Sequence, residues 1–388
     1  MLVAFAALPG VRISGGIAVG SGVPDAEIGG VTWHTGGHPL PDRGSEAAGL
    51  AALACARQVP PDGGLVVLLS GGASALLAAP AGGVTLAEKV DATRVLLDAG
   101  LPIHELNCVR KHLSSVKGGR LAAASAGPVL TLAISDVVGP VEDDPAVIGS
   151  GPTAPDETTI ADARAIVERP GIRERMPAGV MAALTRGASD ELAESPPPGH
   201  GGRSGDLYRV IGGRRQAMAG AAAAATALGY TVRSIEPALI GVARDVGAAH
   251  PDLVRHTLGA TPGQVCVVSS GETTVTVVGR GRGGRNQELA LAAVPFMSRL
   301  GPAAILASVG TDGVDGPTDA AGAVADAGTA DRACAAGLRP VEAYLAENDA
   351  YAYFDALGDL IRTGPTGTNV GDLQVVLRAD TDGEVTRG

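Results

Sequence analysis

Five apolar residues, Leu65–Leu69, run at once into Ser70-Gly71-Gly72 and an Ala/Leu-rich stretch ending at Leu77. No other segment constrains the fold as much. An uninterrupted apolar run of strand length reads as a strand buried on both faces, the habit of parallel sheets covered by helices. Glycines then turn the chain and a helix restarts it, which makes a βα unit. Open α/β sheets bind ligands just beyond the carboxyl ends of such strands. Glycines there let backbone N–H groups approach an anion, and a helix N-terminus adds partial positive charge. Ser70, Gly71, Gly72 and Ser74 are therefore candidates for a phosphate-facing loop, with a plain βα turn as the equal alternative. Aromatic residues are only 2% of the chain, so the core must be built from Val, Leu, Ile and Ala. A chain of 388 residues exceeds one ordinary core, and two domains are expected.

The net charge of −11 argues against a general nucleic-acid binder, so an anionic ligand needs locally placed cations. Cys55, Cys108, Cys266 and Cys334 are widely separated and form no CxxC pair, which suits reduced thiols rather than zinc or a disulfide framework. No apolar run is long enough to span a bilayer, so no membrane partner is expected. Leu2–Leu8 is apolar but lacks a charged n-region, and a cytoplasmic location is expected.

In the first half, Gly36-Gly37-His38-Pro39-Leu40-Pro41-Asp42 is a rigid turn in which two prolines hold His38, or else a surface loop leading into a helix over 43–57. A helix over 86–99 follows. Leu106, Val109, Leu113 and Val116 then make an apolar helical stripe, and Asn107, Arg110, Ser114 and Lys117 a polar stripe beside it. The chain has three lysines, Lys89, Lys111 and Lys117, and two lie here. Arg110 and Lys117 are candidates for an anion site, against the alternative of a solvated face. A buried strand over 128–134 runs into Ser135-Asp136, where a carboxylate at a strand end could take Mg²⁺ or a substrate hydroxyl, or cap the next segment. Asp156 suits the cap of a helix over 157–168, and 189–206 reads as an exposed loop. A helix over 238–258 closes this half.

A second organisation starts near residue 261. Strands are expected over 265–268 and 275–278, joined by a Ser/Gly/Thr turn. Arg285 stands between the Gly-rich stretch 279–284 and a helix over 286–296, where a guanidinium can neutralise a transferring phosphoryl group. A strand over 304–309 ends in Asp312, Asp315 and Asp319, a hard-oxygen set that suits Mg²⁺ without being an EF-hand. The Gly/Thr loop 363–370 precedes a strand over 373–377, and 380–388 reads as a disordered tail.

Together, GGHPLPD (36–42), LLSGGASALL (68–77), ELNCVRKHLSSVKGGRLA (105–122), ISDVVG (134–139), GSGPTAPD (149–156), GRGGRNQE (281–288), GTDGVDGPTDAAGA (310–323) and TGPTGTNVGDL (363–373) resemble the MOFRL-type glycerate kinases, the glycerate 2-kinases. The resemblance runs from about residue 28 to about 378. It implies a two-domain α/β protein: a Rossmann-like N-terminal domain over 1–260, a smaller α/β MOFRL domain over 261–378, an active site in the cleft between them, and a tail over 379–388. It implies ATP and Mg²⁺ as cofactors and D-glycerate as the substrate phosphorylated at its 2-hydroxyl. On this resemblance Ser70, Gly71, Gly72, Ser74, Gly283, Gly284 and Asn369 would line the nucleotide, and His38, Arg110 and Lys117 would bind glycerate. Arg285 would stabilise the transferring group, Asp136 or Asp312 would accept the hydroxyl proton, and Asp312 with Asp315 would hold the metal. A homodimer is left open.

The family pattern also carries a lysine-bearing GxGKA segment ahead of the His-Pro-x-Pro-Asp turn, whereas no lysine precedes Lys89 here. Either the gene starts upstream or the enzyme is shortened. Two rival functions remain. One is hydroxypyruvate reductase, for which Gly279-x-Gly281-x-x-Gly284 has dinucleotide-loop spacing but an Arg-rich context and no ribose-binding acid at the expected distance. The other is a non-catalytic nucleotide- or glycerate-binding homologue.

Overall fold

The structure, a computed structural model, describes residues 1–22, 26–186 and 205–379. The tail from 380 and the expected exposed loop, except its last two residues, lie outside them. The chain divides into two compact units, Met1–Ala133 with Asp143–Ile211, and Ile134–Glu142 with Gly212–Gly388. The boundary expected at residue 260 falls inside the second unit. Both units are α/β, as the sequence predicts.

In the first unit, β1 (Gly16–Gly20) lies parallel to β2 (Val31–Thr35), a strand with no counterpart in the sequence expectations. The apolar run becomes β3 (Leu65–Leu69), parallel to β4 (Val129–Ile134), with β5 (Leu207–Gly212) beside β4. The helix Arg43–Arg57 begins with a capping box, in which the Asp42 carboxylate accepts the Ser45 N–H and the Ser45 hydroxyl accepts the Asp42 N–H. Ala48, Leu53 and Ala56 on its inner face pack with Leu77 and Val116. A separate helical core gathers Leu96, Leu106, Val109, Ile160, Val180 and Leu184. Burying each such Leu, Ile or Val contributes about 1.5–3 kcal/mol.

Three local expectations fail in this unit. The helix Ile103–His112 stops before Leu113, Ser114, Val116 and Lys117, so the expected helical stripes end there. The helix after Gly72 is a single turn, Ala73–Leu76, and the chain is extended again at Leu77. One turn carries little aligned dipole, so the loop's donors are individual N–H groups rather than a helix terminus. The helix expected from 157 starts at Ile160 and is capped by Thr159. Asp156 instead pairs with Lys111 and accepts from Thr158.

The second unit holds one seven-stranded sheet: β6 (Thr231–Ser234), β7 (Leu239–Val242), β8 (Val265–Thr274), β9 (Ala304–Gly310), β10 (Gly322–Asp326), β11 (Leu360–Ile361) and β12 (Asp372–Arg378). Their order is β11-β10-β9-β12-β8-β6, with β7 also on β8. β12 runs antiparallel to both β8 and β9, while β6 and β7 run parallel to β8. Successive residues of β8 face opposite sides. Val265 and Val267 join the core with Leu289, Leu291, Tyr353 and Phe354, and Cys266 and Val268 pack with Met218 and Ala225. Helices therefore cover both faces, which is why the strand reads as unbroken apolar sequence. Residues 275–278, expected as a strand, are not one, because β8 continues unbroken to Thr274. The first residues of the helix expected over 238–258 form β7, and the helix itself spans Ala243–Leu258.

Candidate active site

In the first unit the expected anion-binding residues gather around Ser74. The helix Ile103–His112 presents Arg110, whose Nη2 donates to Ser74 Oγ at 2.7 Å. Ser74 Oγ lies 2.8 Å from Ser150 Oγ, and Ser150 donates to Asn107 Oδ1 at 3.4 Å. Ser150 has φ +63° between Gly149 and Gly151, both also at positive φ. A non-glycine residue held there costs roughly 1–3 kcal/mol, and such strain concentrates at functional sites. Gly72, at φ +81°, lies against His38: a Cβ there would stand 3.1 Å from the imidazole Cδ2. His38, Gly72, Ser74, Arg110 and Ser150 thus belong to one neighbourhood, with Ser70 exposed and Gly71 partly buried at its rim.

The lysines behave differently from the expectation. Lys117 is 1% exposed, and its ammonium is wrapped in backbone oxygens: Ser74 O at 2.8 Å, Leu77 O at 3.5 Å and Gly149 O at 3.5 Å, with Ser74 Oγ at 3.4 Å. Such a group clamps two loops and has no face left for a substrate. Lys89 is equally buried and donates to Leu113 O at 2.7 Å and Arg110 O at 3.2 Å. Burial, then the nearby Arg110 charge, pushes Lys117 well below the ordinary ammonium range and Lys89 down to about 7. Burial also lowers Arg110. Among the described residues no carboxylate pairs with Lys89, Arg110 or Lys117, and the buried Asp156 nearby is taken by Lys111. Desolvated cations without a counter-ion are costly. An arriving anion removes that cost, and Arg110 is the cation whose fork is only partly used.

In the second unit the focus is Arg285, the first residue of the helix Arg285–Ala293. Its Nε and Nη2 donate to the two oxygens of Asp372 at 2.7 and 3.0 Å, and Nη1 donates to Glu272 Oε1 at 3.2 Å. Burial opposes the guanidinium charge, but Asp372 and Glu272 more than offset it and hold Arg285 charged. Glu272 is raised above the usual carboxylate range by burial and by its neighbours Asp136 and Asp372, against the pull of Arg285. Asp136 accepts from Asn369 Nδ2 at 3.0 Å, and Asn369 Oδ1 accepts the Gly371 N–H. Asp312 Oδ1 accepts the Val314 N–H at 3.1 Å.

Asp315 does not fit a metal. It is 2% exposed, and its two oxygens accept the Asn286 and Gln287 N–H groups at 3.0 and 2.9 Å, closing the helix N-terminus. Burial raises it to about 6 despite those bonds. Asp319 is exposed and binds Tyr351 and Arg362. Among the described residues no three acidic, histidine or cysteine side chains are grouped to hold an ion. Asp312 is partly exposed and one of its oxygens accepts the Val314 N–H; Mg²⁺ typically takes one or two carboxylates and fills its shell with phosphate oxygens and water.

Gly284 likewise has another explanation, whereas a Cβ at Gly283 would make only ordinary contact with Ala350. Added Cβ atoms at Gly279 and Gly281 would strike the backbone of Glu347 and Asp349, and at Gly284 the side chain of Asp315. The loop N–H groups of Val278 and Gly279 go to Asn348 Oδ1, of Gly281 to Glu347 O, and of Arg282 to Asp349 Oδ1. Gly279 and Gly281 admit a neighbouring turn and Gly284 admits Asp315, not a pyrophosphate. Glu272 and Asp372 escaped the sequence reading: their partner Arg285 lies 13 and 87 residues away. Only the position of Asp372, between a Gly/Thr loop and a strand, hinted at it.

Two family models match the chain: a domain of unknown function, DUF4147, over residues 2–185, and the MOFRL family over residues 265–372. A glycerate 2-kinase of Pyrococcus horikoshii is 38% identical over 351 residues, covering 88% of this chain and 76% of that protein. A protein of Agrobacterium vitis named as a hydroxypyruvate reductase is 40% identical over 347 residues, covering 88% and 86%. The crystal structure of a glycerate kinase from Thermotoga maritima is similar with a TM-score of 0.83 at 35% identity, covering 95% of this chain and 86% of that one. With relatives this similar over most of both lengths, the chain belongs to the glycerate 2-kinase family.

Proposed function

We propose that this protein phosphorylates D-glycerate with ATP to give 2-phospho-D-glycerate. The carrying observation is Arg110, a guanidinium at Ser74 whose charge burial opposes and which no carboxylate among the described residues pairs with. In this reading Arg110 binds the glycerate carboxylate, with His38 beside it. Ser70, Gly71, Gly72 and Ser74 face a phosphate. Arg285 neutralises charge on the transferring γ-phosphoryl group, which in phosphoryl transfer is most of what a protein must do. The glycerate 2-oxygen forms the new P–O bond, the bond to the bridging oxygen breaks, and ADP leaves. Asp136 or Asp312 takes the hydroxyl proton, and Asn369 orients Asp136. Mg²⁺ arriving with the nucleotide would neutralise its phosphate oxygens, with Asp312 offering one carboxylate. Lys117 and Asp315 are reassigned to holding the scaffold. A cytoplasmic enzyme without nucleic-acid or membrane partners accords with this reading. No helix among the described residues is long and apolar enough to cross a membrane.

The reductase alternative is disfavoured on physical grounds. The helix N-terminus that would receive a dinucleotide pyrophosphate is closed by Asp315, and the glycine loop before it is filled by residues 347–350. The test is ADP formation from ATP that depends on glycerate, with ³¹P NMR of the product to distinguish the 2- from the 3-phosphate. NADH oxidation with hydroxypyruvate and no ADP would reverse the conclusion.

A further inference from the structure

We propose that Asp372 is the positioning residue of Arg285: it locks the inner edge of the guanidinium and leaves only the outer N–H edge exchangeable. The proposal rests on the reading of Arg285 as the partner of the transferring phosphoryl group. It names a residue for which the sequence offered no role.

The inner contact is bidentate, Nε to Oδ2 at 2.7 Å and Nη2 to Oδ1 at 3.0 Å. Two parallel bonds fix the plane of the fork as well as its distance. The Asp372 side chain is 1% exposed, while that of Arg285 is 31% exposed, so the pair points from the interior outward. Asp372 is itself held. It opens β12, in register with Gly271 of β8 on one side and Gly310 of β9 on the other. Its Oδ1 also accepts from Asn286 Nδ2 at 2.9 Å. Asn286 is 1% exposed, and its Oδ1 accepts from the Ser308 hydroxyl at 2.7 Å. Ser308 Oγ in turn accepts from Gln374 Nε2 at 3.4 Å. Each link sits on a strand of the central sheet or on the helix packed over it, so the carboxylate has one available orientation.

The outer contact differs. Nη1 reaches Glu272 at 3.2 Å, and the Glu272 side chain is 38% exposed. Glu272 sits beside Asp136 and Asp372, which disfavour its charge, as does burial. The guanidinium therefore has one permanent counter-ion and one that an incoming phosphoryl oxygen can replace. Asp372 touches neither substrate nor reacting atoms in this scheme, and acts only through Arg285.

The experiment uses the full chain. Asp372→Asn keeps the shape of the side chain but turns one acceptor into a donor facing the guanidinium. It is expected to lower kcat about 10²-fold, the loss typical of a misplaced catalytic group, with the KM values for glycerate and ATP unchanged. Asp372→Glu is expected to recover part of the loss. In a double-mutant cycle, Asp372→Asn should add nothing to Arg285→Lys, because both remove one interaction. The Arg285 Nε–H resonance, assigned by its loss in Arg285→Lys, should be protected in the native chain and exchange rapidly in Asp372→Asn. A rise in KM at constant kcat, fully additive losses, or an unaltered Nε–H signal would each overturn the proposal. If Asp372→Asn does not fold, Ser308→Ala probes the same lock one bond further back: lowered kcat at constant KM supports it, and unchanged kcat refutes it. A native chain that makes no ADP with glycerate refutes the functional reading instead, and the Nε–H comparison still decides what Asp372 does.

Discussion

The sequence pairs Lys117 and Arg110 as one anion site; the structure brings both to Ser74 but wraps only the lysine in backbone oxygens, so paired substitutions give opposite signatures. Lys117→Met keeps chain length and apolar stem but removes every donor. Ser74 O, at 2.8 Å, loses a charge-assisted bond, and Leu77 O and Gly149 O, at 3.5 Å, lose weaker ones. A hydrogen bond to a charged group is worth about 1.5–3 kcal/mol, and leaving a buried acceptor unpaired costs about 1–3 kcal/mol more. Against this, Met removes an ammonium that burial and Arg110 already oppose. The net loss is about 2–3 kcal/mol, or about 5–10 °C in Tm for a unit of this size. Arg110→Met breaks one bond, to Ser74 Oγ at 2.7 Å, and relieves repulsion on both buried lysines. Its stability is expected to change by less than about 1 kcal/mol. Its glycerate KM should rise about 10- to 100-fold, the value of one charge-assisted contact. Thermal melts and steady-state kinetics on both variants decide the matter. If Lys117→Met melts like the native protein while glycerate KM rises, the ammonium faces substrate and the clamp argument is wrong.

Acid stability carries two opposed terms. His250 is buried, with a pKa pushed by burial from 6.5 to about 4, so from pH 6.5 downward the unfolded chain gains a proton that the native chain lacks, and stability falls by about 3 kcal/mol by pH 4. Asp315, raised by burial from 3.8 to about 6, is protonated first in the native chain, so the cost of its buried charge, present above pH 6, is lifted by about 3 kcal/mol over a similar window. The two nearly cancel in the native protein; His250→Gln should therefore gain relative stability between pH 7 and 4.5 in urea melts, and a pH-independent difference would show that His250 is not held neutral. Asp315→Asn should lower Tm while leaving the Mg²⁺ dependence of kcat unchanged; a large rise in the Mg²⁺ requirement would make Asp315 a ligand after all. Gly72→Ala meets a φ of +81° and the His38 ring, so it should cost about 1–2 kcal/mol and also weaken glycerate turnover, whereas a change in stability alone would detach His38 from the site.

What was legible in the sequence was what neighbouring residues decide. Leu65–Leu69 is a strand and Arg43–Arg57 a helix because apolar pattern and caps are local signals. The site failed to read wherever the deciding partner is distant. Asp156 resembles a helix cap until Lys111, 45 residues away, claims it. Asp312 and Asp315 resemble a metal pair until the N–H groups of residues 286 and 287 take both oxygens of the second. The glycines make the point most sharply. Ser70-Gly71-Gly72 and Gly281–Gly284 are both glycine-rich and invite the same phosphate-loop reading. What separates them is the occupant of the space a Cβ would fill. At Gly72 it is the edge of an exposed imidazole, near an arginine with donors to spare; at Gly279, Gly281 and Gly284 it is backbone or the shielded carboxylate of the protein itself. Glycine composition reports only that something comes close. Whether that is a ligand or another stretch of the same chain depends on contacts dozens of residues away, and in the second loop such contacts already fill the space at Gly279, Gly281 and Gly284.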